Sequence, residues 1–165
     1  MKVSVRSQID IFLSLSSVFV VVLLDRITKI FFSEILSPGE TLPVIHRFVH
    51  MTLVHNTGIA FGLFKDKGLV FIVIPIIAIV LLVYNIYYYK NNDEKLSRFY
   101  IVGFSLILGG AIGNLIDRIC FGYVIDFIDL RVWPVFNIAD SAITVGAIIV
   151  ALQCIPLTQK EKRSF

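Results

Sequence analysis

The stretch 109–129, GGAIGNLIDRICFGYVIDFID, sets an amide, an arginine and several carboxylates against otherwise apolar sequence. Asn114, Asp117 and Arg118 are spaced i, i+3, i+4, so on a helix they share one face and can pair with each other. Gly122 and Tyr123 then read as a break into an extended turn, which leaves Asp126 near a helix end and near water. Further on, Asn137, Asp140, Ser141 and Thr144 fall on one stripe at i, i+3, i+4, i+7, with Asp140 near the start of a last helix. Asp126 and Asp140 thus belong to the same end of the molecule. Converging carboxylates in apolar surroundings suit acid–base catalysis or ion handling, and the plainer alternative is an ion-pair cluster closing a loop.

The elements that position these groups are those of a membrane protein. The 165 residues are 57% hydrophobic and only 16% charged, with a mean hydropathy of +0.86, outside the range of ordinary soluble domains. The chain reads as a single integral membrane domain over 1–165, an all-α four-helix transmembrane bundle with spans at about 11–32, 68–89, 99–117 and 137–156. Between spans one and two, at about 33–67, Pro38, Gly39 and Pro43 mark a turn, and IHRFVHMTLVHNTG reads as a small extracytoplasmic β-rich region. The net charge of +3 carries topology information, and no nucleic-acid partner is expected.

The first apolar run ends in LLDRITKIFF, without the small residues of a cleavage site, and is therefore a retained helix. Within it Asp25 and Lys29 stand at i, i+4, either as an interfacial ion pair or as a buttress for the site. Asn56, in NTGIAFG, offers a donor and an acceptor beside Gly58 and Gly62, which allow close backbone approach. His46, His50 and His55 match no HExxH pattern and read as solvated or interfacial, so neither a metal nor a cofactor is expected. Cys120 and Cys154 match no metal or CxxC spacing and read as packing residues. Gly103, Gly109, Gly110 and Gly113 let a neighbouring helix or a bound peptide come close. Asp117 beside Arg118 suits a structural pairing, and Asp129 is expected to face headgroups or water. Lys2, Arg6, Lys90, Lys95, Arg98, Lys160, Lys162 and Arg163 fall on one side of such a bundle. The positive-inside rule makes that side, with both termini, cytoplasmic, so Asn56, Asp126 and Asp140 converge at the outer boundary.

The ordered blocks DRITK, NTGIAFG, GGAIGNLIDR, GYVIDF and FNIADS make the chain resemble the bacterial lipoprotein signal peptidases, also called signal peptidase II, over nearly its whole length. The resemblance implies an aspartic endopeptidase that removes the signal peptide from diacylglyceryl-modified prolipoproteins, cleaving before the lipidated cysteine. Asp126 and Asp140 match the catalytic pair, and Asn56, Asn114, Arg118, Asn137, Asp25 and Lys29 match supporting positions. It further implies a monomer in the bacterial cytoplasmic (inner) membrane, with prolipoproteins and membrane lipid as partners. Ile59 and Arg26 depart from the Ala and Gln frequent in the family, which would reshape the pocket rim. The chemistry agrees: without a nucleophilic Ser or Cys or a metal, one carboxylate must deprotonate water while another, protonated, polarises the carbonyl. Which aspartate is the base stays open, and the glycine-rich third span would admit the signal helix and its lipid. A transporter or proton-coupled channel subunit, with Asp25, Asp117, Asp126 and Asp140 as a relay, is the other class. A relay extends through the membrane, whereas these groups gather at one end. A non-catalytic scaffold would need no converging pair.

Overall fold

A computed structural model describes residues 5–57, 73, 76, 77, 79, 80, 84 and 97–154. They form helices α1 (Val5–Ile35), α2 (Arg98–Phe121) and α3 (Ile138–Cys154), with a sheet of strands β1 (Thr41–Ile45), β2 (Val49–Asn56) and β3 (Val124–Asp129). The sheet is antiparallel in the order β1-β2-β3. Two helical segments, Gln8–Ile35 and Arg98–Phe121, are long and apolar enough to cross a membrane, and Ile138–Gln153 is a shorter apolar helix. The described residues define three helices and a sheet in full. The expected second span, 68–89, lies outside them except for residues 73, 76, 77, 79, 80 and 84, all helical.

Contacts at the two ends fix the directions of the helices. At one end Arg98 Nε is 3.7 Å from Asp10 Oδ1, and Ser97 Oγ donates to Gln153 Oε1 at 2.6 Å. At the other end Lys29 of α1 meets Asp117 of α2, and Asp25 of α1 meets Ala139 of α3. Helices α1 and α2 are therefore parallel and α3 runs against both.

Local chemistry sets the boundaries. Ser97 caps α2 by accepting from the Tyr100 N–H at 3.2 Å, and Gly122 ends it in the left-handed region at φ 78°, where a glycine carries no Cβ penalty. The glycines of α2 are used for contact with the protein's own helices. A Cβ on Gly109 would lie 2.9 Å from Val21 Cβ of α1, one on Gly103 would lie 2.9 Å from Val150 Cγ2 of α3, and one on Gly110 would collide with the Ala139 carbonyl. Of the two expected neighbours, a helix or a bound peptide, the helix is the one found on these faces, which α1 and α3 fill.

Strand β3 was not foreseen. The run VIDFID is buried at nearly every position, so it lacks the apolar–polar alternation of a half-exposed strand. Below the sheet, Leu36, Leu53 and Ile125 pack with Phe32, Met51 and Tyr123, and Phe127 stacks on Phe32 with ring centroids 4.5 Å apart. Burying each such side chain contributes on the order of 2 kcal/mol. His50 is buried, where a solvated or interfacial position was expected. Cys120 is exposed and so is not a packing residue, and the side chain of Cys154 lies outside the described residues.

Candidate active site

Helix α3 begins with a reciprocal cap. Asn137 Oδ1 accepts the Asp140 N–H at 2.9 Å, and Asp140 Oδ2 accepts the Asn137 N–H at 3.2 Å. This is the capping-box arrangement with Asn and Asp in place of Ser and Glu. The cap leaves Asp140 Oδ1 to accept from Asn114 Nδ2 at 2.8 Å. Asn137 Nδ2 turns the other way and donates to Asp126 Oδ1 at 2.7 Å and to Asn114 Oδ1 at 3.0 Å. Asn137 therefore touches both carboxylates, through its backbone for Asp140 and its side chain for Asp126. Asn56 Nδ2, from the end of β2, completes the set by donating to Asp126 Oδ2 at 2.9 Å.

A second pair of aspartates braces the first. Asp25 Oδ1 accepts the N–H of Ala139, the residue before Asp140, at 3.1 Å, and Asp117 Oδ2 accepts the N–H of Ile125, the residue before Asp126, also at 3.1 Å. Two cations join these inner acids. Lys29 Nζ lies 3.0 Å from Asp25 Oδ2 and 2.7 Å from Asp117 Oδ2, and it donates to Asn114 Oδ1 at 3.1 Å. Arg26 Nη2 donates to Asp25 Oδ2 at 2.9 Å and to the Gly113 carbonyl at 3.2 Å. Its Nη1 lies 2.7 Å from Asp117 Oδ1. Asp25, Asp117 and Lys29 are fully or almost fully buried, so their charges need this mutual neutralisation to be tolerated away from water. Gly113 makes the approach possible, since a Cβ there would lie 2.7 Å from Asp25 Oδ2.

The environments of the outer acids differ. Asp126 is 2% exposed, and Asp140 is half-buried. Burial, with the nearby Asp140 charge, pushes the Asp126 carboxyl up to about 6 against the pull of Asn56, Asn137 and Lys29. Such a group keeps its proton to within reach of neutral pH. At Asp129 burial also works upward, but the Thr52 hydroxyl and the amide and guanidinium of Arg131 outweigh it and hold the group below the ordinary carboxylate value.

The structure thus brings Asp25, Lys29, Asn56, Asn114, Asp126, Asn137 and Asp140 into one hydrogen-bonded assembly. Arg118 stands apart from the expected pairing with Asp117: its Nη1 donates to the Asn114 carbonyl at 3.3 Å, and it lies in the field of Asp140 and Asp126. Adjacent residues on a helix point about 100° apart, so Asp117 turns to α1 instead. Asp129 is buried and accepts from Thr52 Oγ1 at 2.8 Å, which corrects its expected exposure to headgroups or water. Arg26 was missed as a site residue; its position one turn from Lys29 beside Asp25 was the available signal. Gly58, Ile59 and Gly62 lie outside the described residues. A cavity of about 430 Å³ beside Arg26, His55 and Tyr123 has neither Asp126 nor Asp140 on its wall. Among the described residues no group of three or more His, Cys, Asp or Glu could hold a metal ion.

A family model described as signal peptidase (SPase) II matches residues 17–156. The lipoprotein signal peptidase of Halothermothrix orenii is 44% identical over 145 residues, covering 88% of this chain and 94% of its own. That of Moorella thermoacetica is 48% identical over 134 residues, covering 81% and 86%. Among solved structures, a bacterial membrane enzyme determined by the in meso method at 2.3 Å resolution superposes with a TM-score of 0.79 at 34% identity, covering 92% of this chain and 93% of that one. Another, at 1.9 Å, gives a TM-score of 0.78 at 35% identity, covering 88% and 94%.

Proposed function

The chain belongs to the signal peptidase II family, a family of membrane proteases, and from that premise we propose that it cleaves diacylglyceryl-modified prolipoproteins just before the lipidated cysteine, using Asp126 and Asp140 as a water-activating pair. The observation that carries this reading is the linkage of both carboxylates through Asn137 and Asn114, with Asp126 raised to about 6.

Asp126 is the member that holds the pair's proton. In the proposed reaction Asp140 takes a proton from a water molecule as its oxygen attacks the scissile carbonyl carbon, while the Asp126 proton is shared with the carbonyl oxygen. The tetrahedral intermediate then collapses: the C–N bond breaks, Asp140 passes the proton to the leaving nitrogen, and Asp126 recovers its own. The products are a free carboxyl and a free amine. The proton is assigned to Asp126 because it is the more deeply buried acid. The asparagines hold both carboxylates before substrate arrives, so little of the barrier is spent on orienting them.

Lipid supplies recognition in this reading. Acyl burial against the apolar helices contributes about 0.8 kcal/mol per CH₂, far more than the few polar contacts a short cleavage sequence can make. The protein sits in the bacterial inner membrane as a monomer with both termini cytoplasmic and the paired acids at the outer face, where a lipidated substrate arrives laterally. The deciding experiment incubates purified protein in detergent micelles with a prolipoprotein peptide, with and without the diacylglyceryl group, and follows cleavage by mass spectrometry. Cleavage of the modified peptide alone is expected; equal turnover of both would remove the lipid from the reading, and turnover of neither would remove the activity.

A further inference from the structure

At the end of the sheet remote from the paired acids lies a second concentration of unlike side chains. Ile45 pairs with Val49 and His50 pairs with Asp129, so the β1–β2 turn at 46–48 and the chain leaving β3 at 130–133 emerge side by side. Each carries an arginine in the left-handed region, Arg47 at φ 73° and Arg131 at φ 67°, a backbone that costs a non-glycine residue about 1 kcal/mol or more. Each arginine is followed by large apolar side chains turned outward: Phe48 is 69% exposed, Val132 91% and Trp133 67%. Leu42, Val44 and Ile45 of β1 continue the patch. The acid at this end, Asp129, is buried and bonded to Thr52 and Arg131, so the outward face is apolar and positive.

We propose that this sheet end, through Arg47, Phe48, Arg131, Val132 and Trp133, is seated in the headgroup layer of the bilayer that the helices cross and binds anionic lipid headgroups there. In water the exposed ring, phenyl and valine would be a liability. At a headgroup layer the Trp and Phe bodies reach below the carbonyl level while the guanidinium groups meet phosphates. Connectivity selects the bilayer over a soluble partner. Strand β3 leaves directly from the end of α2 and returns into α3 through Asn137, and a strand of six residues reaches only about 20 Å. The tip therefore cannot leave the vicinity of the surface in which α2 and α3 end. The placement holds whatever reaction Asp126 and Asp140 perform.

The sequence contains one tryptophan, so the fluorescence of Trp133 reports on this tip without labelling. The full chain is reconstituted in lipid nanodiscs of phosphatidylcholine, with or without phosphatidylglycerol, and either lipid is brominated in turn near its headgroup. Trp133 is expected to emit at shorter wavelength than an indole in water, to be shielded from acrylamide, and to be quenched about twofold more by brominated phosphatidylglycerol than by brominated phosphatidylcholine at equal mole fraction. Arg47→Gln together with Arg131→Gln should bring the two lipids to parity at unchanged helix content. Because Arg131 also touches Asp129, Arg47→Gln alone is the second variant, expected to lose part of the preference. Water-like emission open to acrylamide in both bilayers would overturn the seating. Equal quenching by the two lipids in the unsubstituted protein would overturn the headgroup preference. Shielding that rises with protein concentration at fixed lipid composition would mean that a second copy covers the tip, and would overturn the proposal as well.

Discussion

The carboxylate of Asp117 accepts the backbone N–H of Ile125 at 3.1 Å, one residue ahead of Asp126. A group on a helix thereby fixes the strand that carries a paired acid, and the same oxygen anchors Lys29. Asp117→Asn keeps an oxygen for the amide but leaves Lys29 and Arg26 with one carboxylate between them. Breaking a buried ion pair from one side costs about 3–5 kcal/mol. Thermal unfolding in detergent should show a large loss of stability, and near-parent stability would mean that the cluster is not the brace described.

Asp126→Asn and Asp140→Asn should each abolish turnover of a lipidated prolipoprotein peptide, because an amide can neither hold the shared proton nor accept one from water. As the acids act as one unit, the double variant should be hardly worse than either single one. Pull-down of the uncleaved peptide checks that binding survives. Substantial cleavage by either single variant would exclude the two-acid mechanism.

The raised titration of Asp126 has a consequence for stability. A carboxyl whose folded value, about 6, exceeds its unfolded value contributes stability that is fully present below about pH 4 and is lost as pH rises through 6. At neutral pH the cost is at most about 3 kcal/mol, since each unit corresponds to about 1.4 kcal/mol. Asp126→Asn should therefore be more stable than the parent above pH 6, with the gap closing toward pH 4. Denaturation midpoints across that window test it, and an unchanged gap at both ends would contradict the buried, proton-holding state.

Two glycine substitutions should separate the brace from ordinary chain geometry. Gly113→Ala pushes a methyl group against Asp25 Oδ2 and should lower both stability, by about 1–3 kcal/mol, and kcat. Gly122→Ala meets nothing within 4 Å but forces a side chain onto φ 78°, which costs about 1 kcal/mol and should leave kcat per folded molecule unchanged. Paired unfolding and initial-rate measurements distinguish the two patterns.

Asn137 and Asp140 stand out in the sequence as polar residues at helical spacing in an apolar run, and Asp126 as a carboxylate just past the Gly122–Tyr123 break. What escaped was the choice of partner. Asp117 and Arg118 are neighbours in sequence, but the helix turns them apart, and the cation that meets Asp117 comes from α1, which no local spacing encodes. Arg26 reads in the sequence only as a departure from the Gln frequent in the family, and its two carboxylate partners, Asp25 beside it and Asp117 on another helix, become visible only in the packed structure. Strand β3 was hidden by its own burial, since VIDFID offers no exposed face to alternate. The glycines of α2 announced close approach, but only the packed helices show that α1 and α3 are what approaches.

Lys29 is closed off from solvent between Asp25 and Asp117, so mobile counterions have no access to the brace. Ions in bulk weaken attraction between charges that they can surround, and buried pairs are screened much less. The spacing of the two outer acids is thereby insulated from changes in ionic strength, and added salt acts chiefly on charges at the surface, Arg47 and Arg131 among them.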